Sequence, residues 1–315
     1  MKKIGIVLTN LGTPDAPTKA ALKVYLEEFL KDPRVIELPK WKWYPILYGI
    51  ILNTRPAQSA EKYQIVWDNG SPLLTITEKQ AEKLRQLLPE NYEVTIAMRY
   101  GNPSMVKAVN ELIAKKVDEI VVFPLYPQYS AATTASVMDD VGDVLKKLRY
   151  FPALRVLGAY YQNPLYLDAC IAQIKENTVG KTIDKYVFSF HGMPKQTYVD
   201  GDPYYDQCME TTKLIAERMG EPLERFETVF QSRFGKAEWL QPYAAEFFET
   251  APSKGIKNIA VFCPGFSADC LETLEEMAME NHDIFMGAGG SSYTFVPCVN
   301  SHDLHIEMMK DEILN

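Results

Sequence analysis

The sequence predicts an α/β fold built from two similar halves, each a parallel sheet flanked by helices, whose loops would line one cleft if the halves face each other. Three observations predict it. Short, nearly continuous apolar runs alternate with longer segments of helical period, the pattern of strand–helix–strand units. The chain has 315 residues, 47% of them hydrophobic, enough for two domains that each bury a core. Short motifs also recur: Leu11-Gly12-Thr13-Pro14 and His191-Gly192-Met193-Pro194 both place Gly-x-Pro after a strand, and the run 119–124 resembles 258–264. The boundary is expected near 149–154, giving domains over 1–150 and 151–315.

Strands are expected over 4–8, 94–98, 119–123, 155–159, 185–190, 226–230 and 258–262. All are rich in Val, Ile, Phe and Tyr and nearly unbroken in apolarity, as strands covered on both faces are. Helices are expected over 18–31, 103–116, 136–148, 164–177, 203–219, 239–250 and 271–281. Several open on Pro or an acidic residue and close near Gly or Lys, as helix ends prefer. In open α/β sheets ligands gather at the carboxyl ends of strands. The loops to watch are therefore 11–14, 124–134, 191–194 and 264–272.

Composition excludes several functions. The net charge is -8 and no basic stripe is present, so no nucleic-acid partner is expected. No run of about 20 apolar residues exists to span a bilayer, and the apolar segment 4–8 is too short for a secretory core. Cys170, Cys208, Cys263, Cys270 and Cys298 are odd in number and form no Cys-x-x-Cys pair, which fits reduced thiols in a cytoplasmic protein. Gly12 belongs to no Gly-x-Gly-x-x-Gly loop, and neither a Gly-Lys-Ser/Thr loop nor a Gly-x-Ser-x-Gly elbow occurs.

His191 is the most informative histidine, because it ends a buried strand on a predicted ligand loop. A lone strand-end His is more often structural. His282, His302 and His305 read as surface residues. Asp269-Cys270-Leu271-Glu272-Thr273-Leu274-Glu275-Glu276 opens a helix. Glu272 and Glu276 are one turn apart, about 6 Å along an α-helix, where like charges repel. An acidic first turn complementing the helix dipole explains Asp269 but explains Glu276 poorly. One imidazole with carboxylates suits a divalent first-row ion held in transit, and is too weak for a structural zinc site. Tyr126, Phe266 and Trp239 lie near predicted loops and could wall a large flat apolar ligand, though each alone reads as ordinary core. The segment 41–52, with Trp41, Trp43, Tyr44 and Tyr48, reads equally as an interfacial lip or a buried helix. Arg55 follows it, placed to meet a carboxylate.

With these residues in view the chain resembles the protoporphyrin ferrochelatases, terminal enzymes of heme synthesis, over nearly its full length. The matching segments, in order, run over 8–14, 70–73, 99–101, 125–130, 189–194 (Ser-Phe-His-Gly-Met-Pro), 201–204, 230–235, 239–240 and 263–276. The resemblance implies a pair of Rossmann-like, chelatase-type domains enclosing a porphyrin cleft and a lyase that inserts Fe²⁺ into protoporphyrin IX. It puts the family's invariant His on His191, its metal-facing Glu on Glu272, and the continuing acidic ridge on Glu276. Porphyrin contacts fall on Leu11, Arg55, Tyr63, Arg99, Tyr126, Trp239 and Phe266. Iron is a substrate, and no resident cofactor is expected. Some relatives hold a [2Fe–2S] cluster through later cysteines; none follows Cys298, so no cluster is expected. The 41–52 lip touches the membrane in some relatives, giving a possible peripheral contact, and the expected state is a monomer or homodimer. Alternatives are a coproporphyrin or cobalt chelatase, and a heme carrier, which would need His191 but not the paired Glu272 and Glu276.

Overall fold

A computed structural model of the chain describes residues 2–235 and 237–315. Two four-stranded sheets organise it. The first contains β1 (Ile4–Thr13), β2 (Tyr92–Gly101), β3 (Glu119–Pro124) and β4 (Ala153–Val156) in the order β2-β1-β3-β4. The second contains β5 (Lys185–His191), β6 (Phe226–Gln231), β7 (Asn258–Phe262) and β8 (Ser292–Val296) in the order β6-β5-β7-β8. Every pairing is parallel, and the connectivity is the same in both sheets, as the repeated motifs predicted.

The central strands explain the apolar runs. Ile6, Val7 and Leu8 of β1, and Val187, Phe188 and Phe190 of β5, are buried on both faces. Flanks β3 (Ile120–Phe123) and β7 (Ile259–Phe262) are buried as fully, which follows from helices covering both sides of a parallel sheet. The edge strands were harder to read. β4 falls at 153–156 rather than 155–159, with its first two residues exposed. β8 was not expected: its residues Ser292-Tyr293-Thr294-Phe295-Val296 are only partly apolar because the strand lies at a sheet edge.

The chain divides into two compact units. One is Met1–Leu125, Ser130–Gly158 and Met309–Asn315; the other is Tyr126–Tyr129 and Ala159–Met308. The expected division at 150/151 lies just before β4, which pairs with β3 and so stays in the first unit. The Arg155 guanidinium also donates to the Ile313 carbonyl there, fastening the C-terminal helix (Asp303–Leu314) to β4.

In the first unit the 41–52 segment is helical. It runs through α-helix Lys40–Ile46, π-helix Leu47–Ile51 and α-helix Leu52–Val66. Trp43, Leu47, Ile51 and Leu52 turn inward, and the Trp43 indole donates to the Leu30 carbonyl at 2.7 Å. Trp41 (74% exposed), Ile46, Tyr48 and Ile50 (60%) face out. One face of this segment is thus a buried helix face, and the other is apolar and exposed. Among the described residues no helix is long and apolar enough to cross a membrane.

Candidate active site

Two strand ends and one helix of the second unit build the site. β5 ends on His191, whose register partner on β6 is Gln231. The His191 Nδ1 lies 2.7 Å from the Gly192 carbonyl. A carbonyl only accepts, so Nδ1 carries a proton, and in the neutral ring the lone pair is then on Nε2. Gly192 is required here. A Cβ would sit 2.6 Å from the Gln231 carbonyl and 3.0 Å from the Trp239 ring. Trp239 thus lies against the turn that carries His191, and a bridge pairs Trp239 with Pro194.

Glu272 and Glu276 lie on a helix over Glu272–Glu280 that is π rather than the expected α. Side chains add hydrogen bonds to three of its backbone carbonyls. Gln231 Nε2 donates to the Glu272 carbonyl at 2.9 Å, Asn281 to that of Glu276 at 2.8 Å, and the Tyr293 hydroxyl to that of Met277 at 2.6 Å. Thr273 and Met277 form its buried side, with Glu272 and Glu276 on a half-buried one.

Ser232, just past β6, adopts a left-handed conformation (φ 63°). This turns its N–H and hydroxyl onto Glu276, at 2.7 Å to Oε1 and 2.5 Å to Oε2. Gln231 Nε2 adds a weaker contact to Oε2 at 3.4 Å. Burial pushes the Glu276 carboxyl above its ordinary range, and the neighbouring Glu272 pushes it the same way. The bonds from Ser232 and the attraction of His191 only partly offset this. A buried carboxyl raised in this way accepts a proton more readily than an ordinary one, which suits it to proton transfer.

Gln231 joins the site together. Its side chain is 1% exposed. Its Oε1 accepts from Ser189 at 2.7 Å and from the Cys263 thiol at 3.9 Å, and its backbone carbonyl accepts the Gly192 N–H at 2.8 Å. The sequence reading matched the segment 230–235 but gave Gln231 and Ser232 no role. Nothing in composition or spacing marks a Gln at a strand end as a hub.

The remaining candidates divide between the units. Phe266 packs against the core of the second unit, and Tyr126 belongs to the same unit, half-buried. Leu11, Arg55, Tyr63 and Arg99 belong to the first unit. There Leu11 is half-buried, Arg55 exposed, and Tyr63 edge-on to Trp67 at 6.1 Å. Arg99 is engaged within its unit, donating to Asp32 at 2.6 Å and to Ser136 at 2.6 Å. Burial raises the Asp32 carboxyl, but hydrogen bonds from Ser136 and Tyr100 overcome that and hold it below its ordinary value.

Two expectations need correction. His305 is not a surface residue: it is 0% exposed, and burial lowers its pKa to about 4. Its helix is polar in sequence, but packing turned this one face inward. Asp269 is likewise more than a first-turn charge, since its buried carboxylate accepts from Thr273, Cys298 and Asn300. Among the described residues no three His, Cys, Asp or Glu side chains converge as a metal cage.

The ferrochelatase family model matches residues 3–315. The chain is 48% identical over 313 residues to Ferrochelatase 2 of Shewanella oneidensis, covering 98% of this chain and 95% of that one. It is 46% identical to the ferrochelatases of Idiomarina loihiensis (99% and 88% covered) and Mannheimia succiniciproducens (99% and 97%). Among solved structures, SirB from Bacillus subtilis with Fe³⁺ superposes with a TM-score of 0.59 at 12% identity, covering 100% of this chain and 95% of that one, a likeness of fold. A site of one imidazole and paired carboxylates, on duplicated four-stranded sheets and matched along the whole chain, places this protein in the ferrochelatase family.

Proposed function

We propose that His191, Glu272 and Glu276 carry out the reaction of this ferrochelatase, with protoporphyrin IX as the porphyrin. The enzyme is a metal-chelating lyase that inserts iron into a porphyrin for heme synthesis. Insertion of Fe²⁺ displaces two pyrrole protons, so the site must both steady a cation and accept protons. The observation that carries the reading is the contact of His191 Nδ1 with the Gly192 carbonyl: with a proton held on Nδ1, the neutral ring offers its Nε2 lone pair to a metal or a proton. Glu272 steadies the incoming Fe²⁺, a substrate, through a hard oxygen ligand. Glu276, raised by burial and gripped by Ser232, passes the proton onward.

Trp239 against the Gly192 turn, with Tyr126 and Phe266 of the same unit, supplies apolar wall for the macrocycle. Leu11, Arg55, Tyr63 and Arg99 are proposed porphyrin contacts of the first unit; Arg99 keeps N–H groups beyond those bonded to Asp32 and Ser136. The outward apolar face of Trp41, Ile46, Tyr48 and Ile50 supports a peripheral contact with the inner membrane surface by an otherwise cytoplasmic protein.

The test is anaerobic Fe²⁺ insertion by the purified protein, followed as loss of free-porphyrin fluorescence, with protoporphyrin and coproporphyrin compared. Fast loss with protoporphyrin, cut by about 10²–10⁴ in His191→Ala without loss of fold, is expected. Near-normal turnover in His191→Ala would sink the mechanism, and a preference for coproporphyrin would overturn the substrate.

A further inference from the structure

The helix that carries Glu272 is held from two sides. Gln231 grips the Glu272 carbonyl from the β6 side. On the other side, a segment following β8 grips Asp269, three residues earlier. Asp269 and Asn300 bond reciprocally. The Asp269 N–H donates to Asn300 Oδ1 at 2.8 Å, and Asn300 Nδ2 donates to Asp269 Oδ2 at 2.7 Å. The other Asp269 oxygen accepts from Thr273 Oγ1 at 2.9 Å and from the Cys298 N–H at 3.2 Å. Thr273 Oγ1 in turn accepts the Cys270 N–H at 3.0 Å, which closes the first turn before Glu272.

Asn300 is itself anchored. Its backbone takes the left-handed conformation (φ 43°), and its carbonyl accepts from His305 Nδ1 at 2.7 Å. Asn tolerates that conformation better than most residues. The arrangement is costly in isolation. Asp269 is a carboxylate only 5% exposed, and it accepts from a hydroxyl, an amide and a backbone N–H, all neutral donors. An apolar contact could join the two loops at less expense. What the polar arrangement adds is direction: a reciprocal pair fixes distance and rotation together, whereas apolar packing leaves rotation free.

We propose that Asn300, backed by His305, is a positioning residue for iron insertion: through Asp269 it fixes the first turn of the Glu272 helix, and so sets where the Glu272 carboxylate meets the incoming metal. Asn300 touches neither substrate. It acts as a partner of a ligand-bearing element, a class whose loss costs about 10–100-fold in metal affinity or activity. The proposal rests on Glu272 being the metal-facing carboxylate.

The experiment is anaerobic steady-state insertion with Fe²⁺ and porphyrin varied separately, on the full-length enzyme and four variants. Asn300→Gly deletes the clamp and suits the left-handed backbone. Asn300→Asp keeps the shape and sets two carboxylates face to face. The exchanged pair Asp269→Asn with Asn300→Asp restores a donor opposite an acceptor. Glu272→Gln reports on the underlying reading. Porphyrin binding by fluorescence and thermal melting by circular dichroism are measured for each.

Asn300→Gly and Asn300→Asp should raise the KM for Fe²⁺ by about 10–100-fold with porphyrin Kd unchanged, and the exchanged pair should recover most of that loss. A lowered melting temperature with KM for Fe²⁺ unchanged would make the clamp merely structural and overturn the proposal. So would an exchanged pair that regains melting temperature but not KM. If Glu272→Gln collapses insertion while the Asn300 variants do not, only the positioning role fails. If Glu272→Gln inserts iron normally, the reading of Glu272 fails and the proposal with it. Should one Asn300 variant not fold, the other and the exchanged pair supply the same comparison.

Discussion

Replacing Gln231 by Met removes the amide that joins the site while keeping an unbranched side chain of similar length. Four contacts are lost. They are the donations to the Glu272 carbonyl at 2.9 Å and to Glu276 at 3.4 Å, and the acceptances from Ser189 at 2.7 Å and Cys263 at 3.9 Å. The long pair contributes little. The Ser189 hydroxyl retains Met277 Sδ at 3.5 Å as a weak acceptor, which reduces its penalty. The Glu272 carbonyl loses a side-chain hydrogen bond, and a typical intramolecular hydrogen bond contributes about 0.5–1.5 kcal/mol. Adding the weakened Ser189 bond gives about 1–3 kcal/mol, a large share of the ~5–15 kcal/mol that keeps a protein folded. Activity should suffer as well, because the start of the Glu272 helix loses its tie to β6. The assay pairs urea unfolding, followed by circular dichroism, with the rate of Fe²⁺ insertion. A loss below about 0.5 kcal/mol with an unchanged insertion rate would refute the role given to Gln231.

Three more outcomes follow from the same geometry. Because burial raises the folded pKa of Glu276, its contribution to stability is full below the unfolded pKa and is lost as pH rises through the folded one; Glu276→Gln should flatten that loss in melts taken from about pH 4 upward while slowing insertion, and an unchanged pH slope would contradict it. His305 behaves oppositely: its folded pKa is depressed from 6.5 to about 4, so the fold resists a proton that the unfolded chain accepts, and stability falls by about 3 kcal/mol as pH drops through that window. His305→Asn keeps a donor near the Nδ1 position for the Asn300 carbonyl and should remove this acid-side loss, measured by urea unfolding at each pH; an equal loss in the variant would assign it to other groups. Gly192→Ala drives a methyl to 2.6 Å from the Gln231 carbonyl and 3.0 Å from Trp239, and should cost about 1–3 kcal/mol and shift Trp239 fluorescence; a variant as stable as the parent would show the turn to be looser than described.

The sequence by itself determined the architecture and singled out the central residues. Strands buried on both faces write their burial as unbroken apolar runs, so β3, β5 and β7 could be read with nearly correct bounds, and β1 from its start though it runs on to Thr13. Of the edge strands, β2 and β6 carry enough buried apolar residues to be located, whereas the mixed, partly exposed residues of β4 and β8 carry little signal. His191 and the Glu272–Glu276 ridge stood out because strand-end histidines and stacked carboxylates are unusual in any fold. What holds them was decided by tertiary structure alone. The Glu272–Glu280 helix is π, and Gln231, Asn281 and Tyr293 reach its carbonyls, Gln231 and Tyr293 from elsewhere in the chain. The burial of His305 depends on which face of a polar helix packs inward. Asn300 meets Asp269 only because the chain after β8 returns beside the loop after β7. Periodicity and motif spacing record which way a side chain must face within its own element; a hydrogen bond between distant segments leaves no trace in either, because it depends on where the folded chain brings them together.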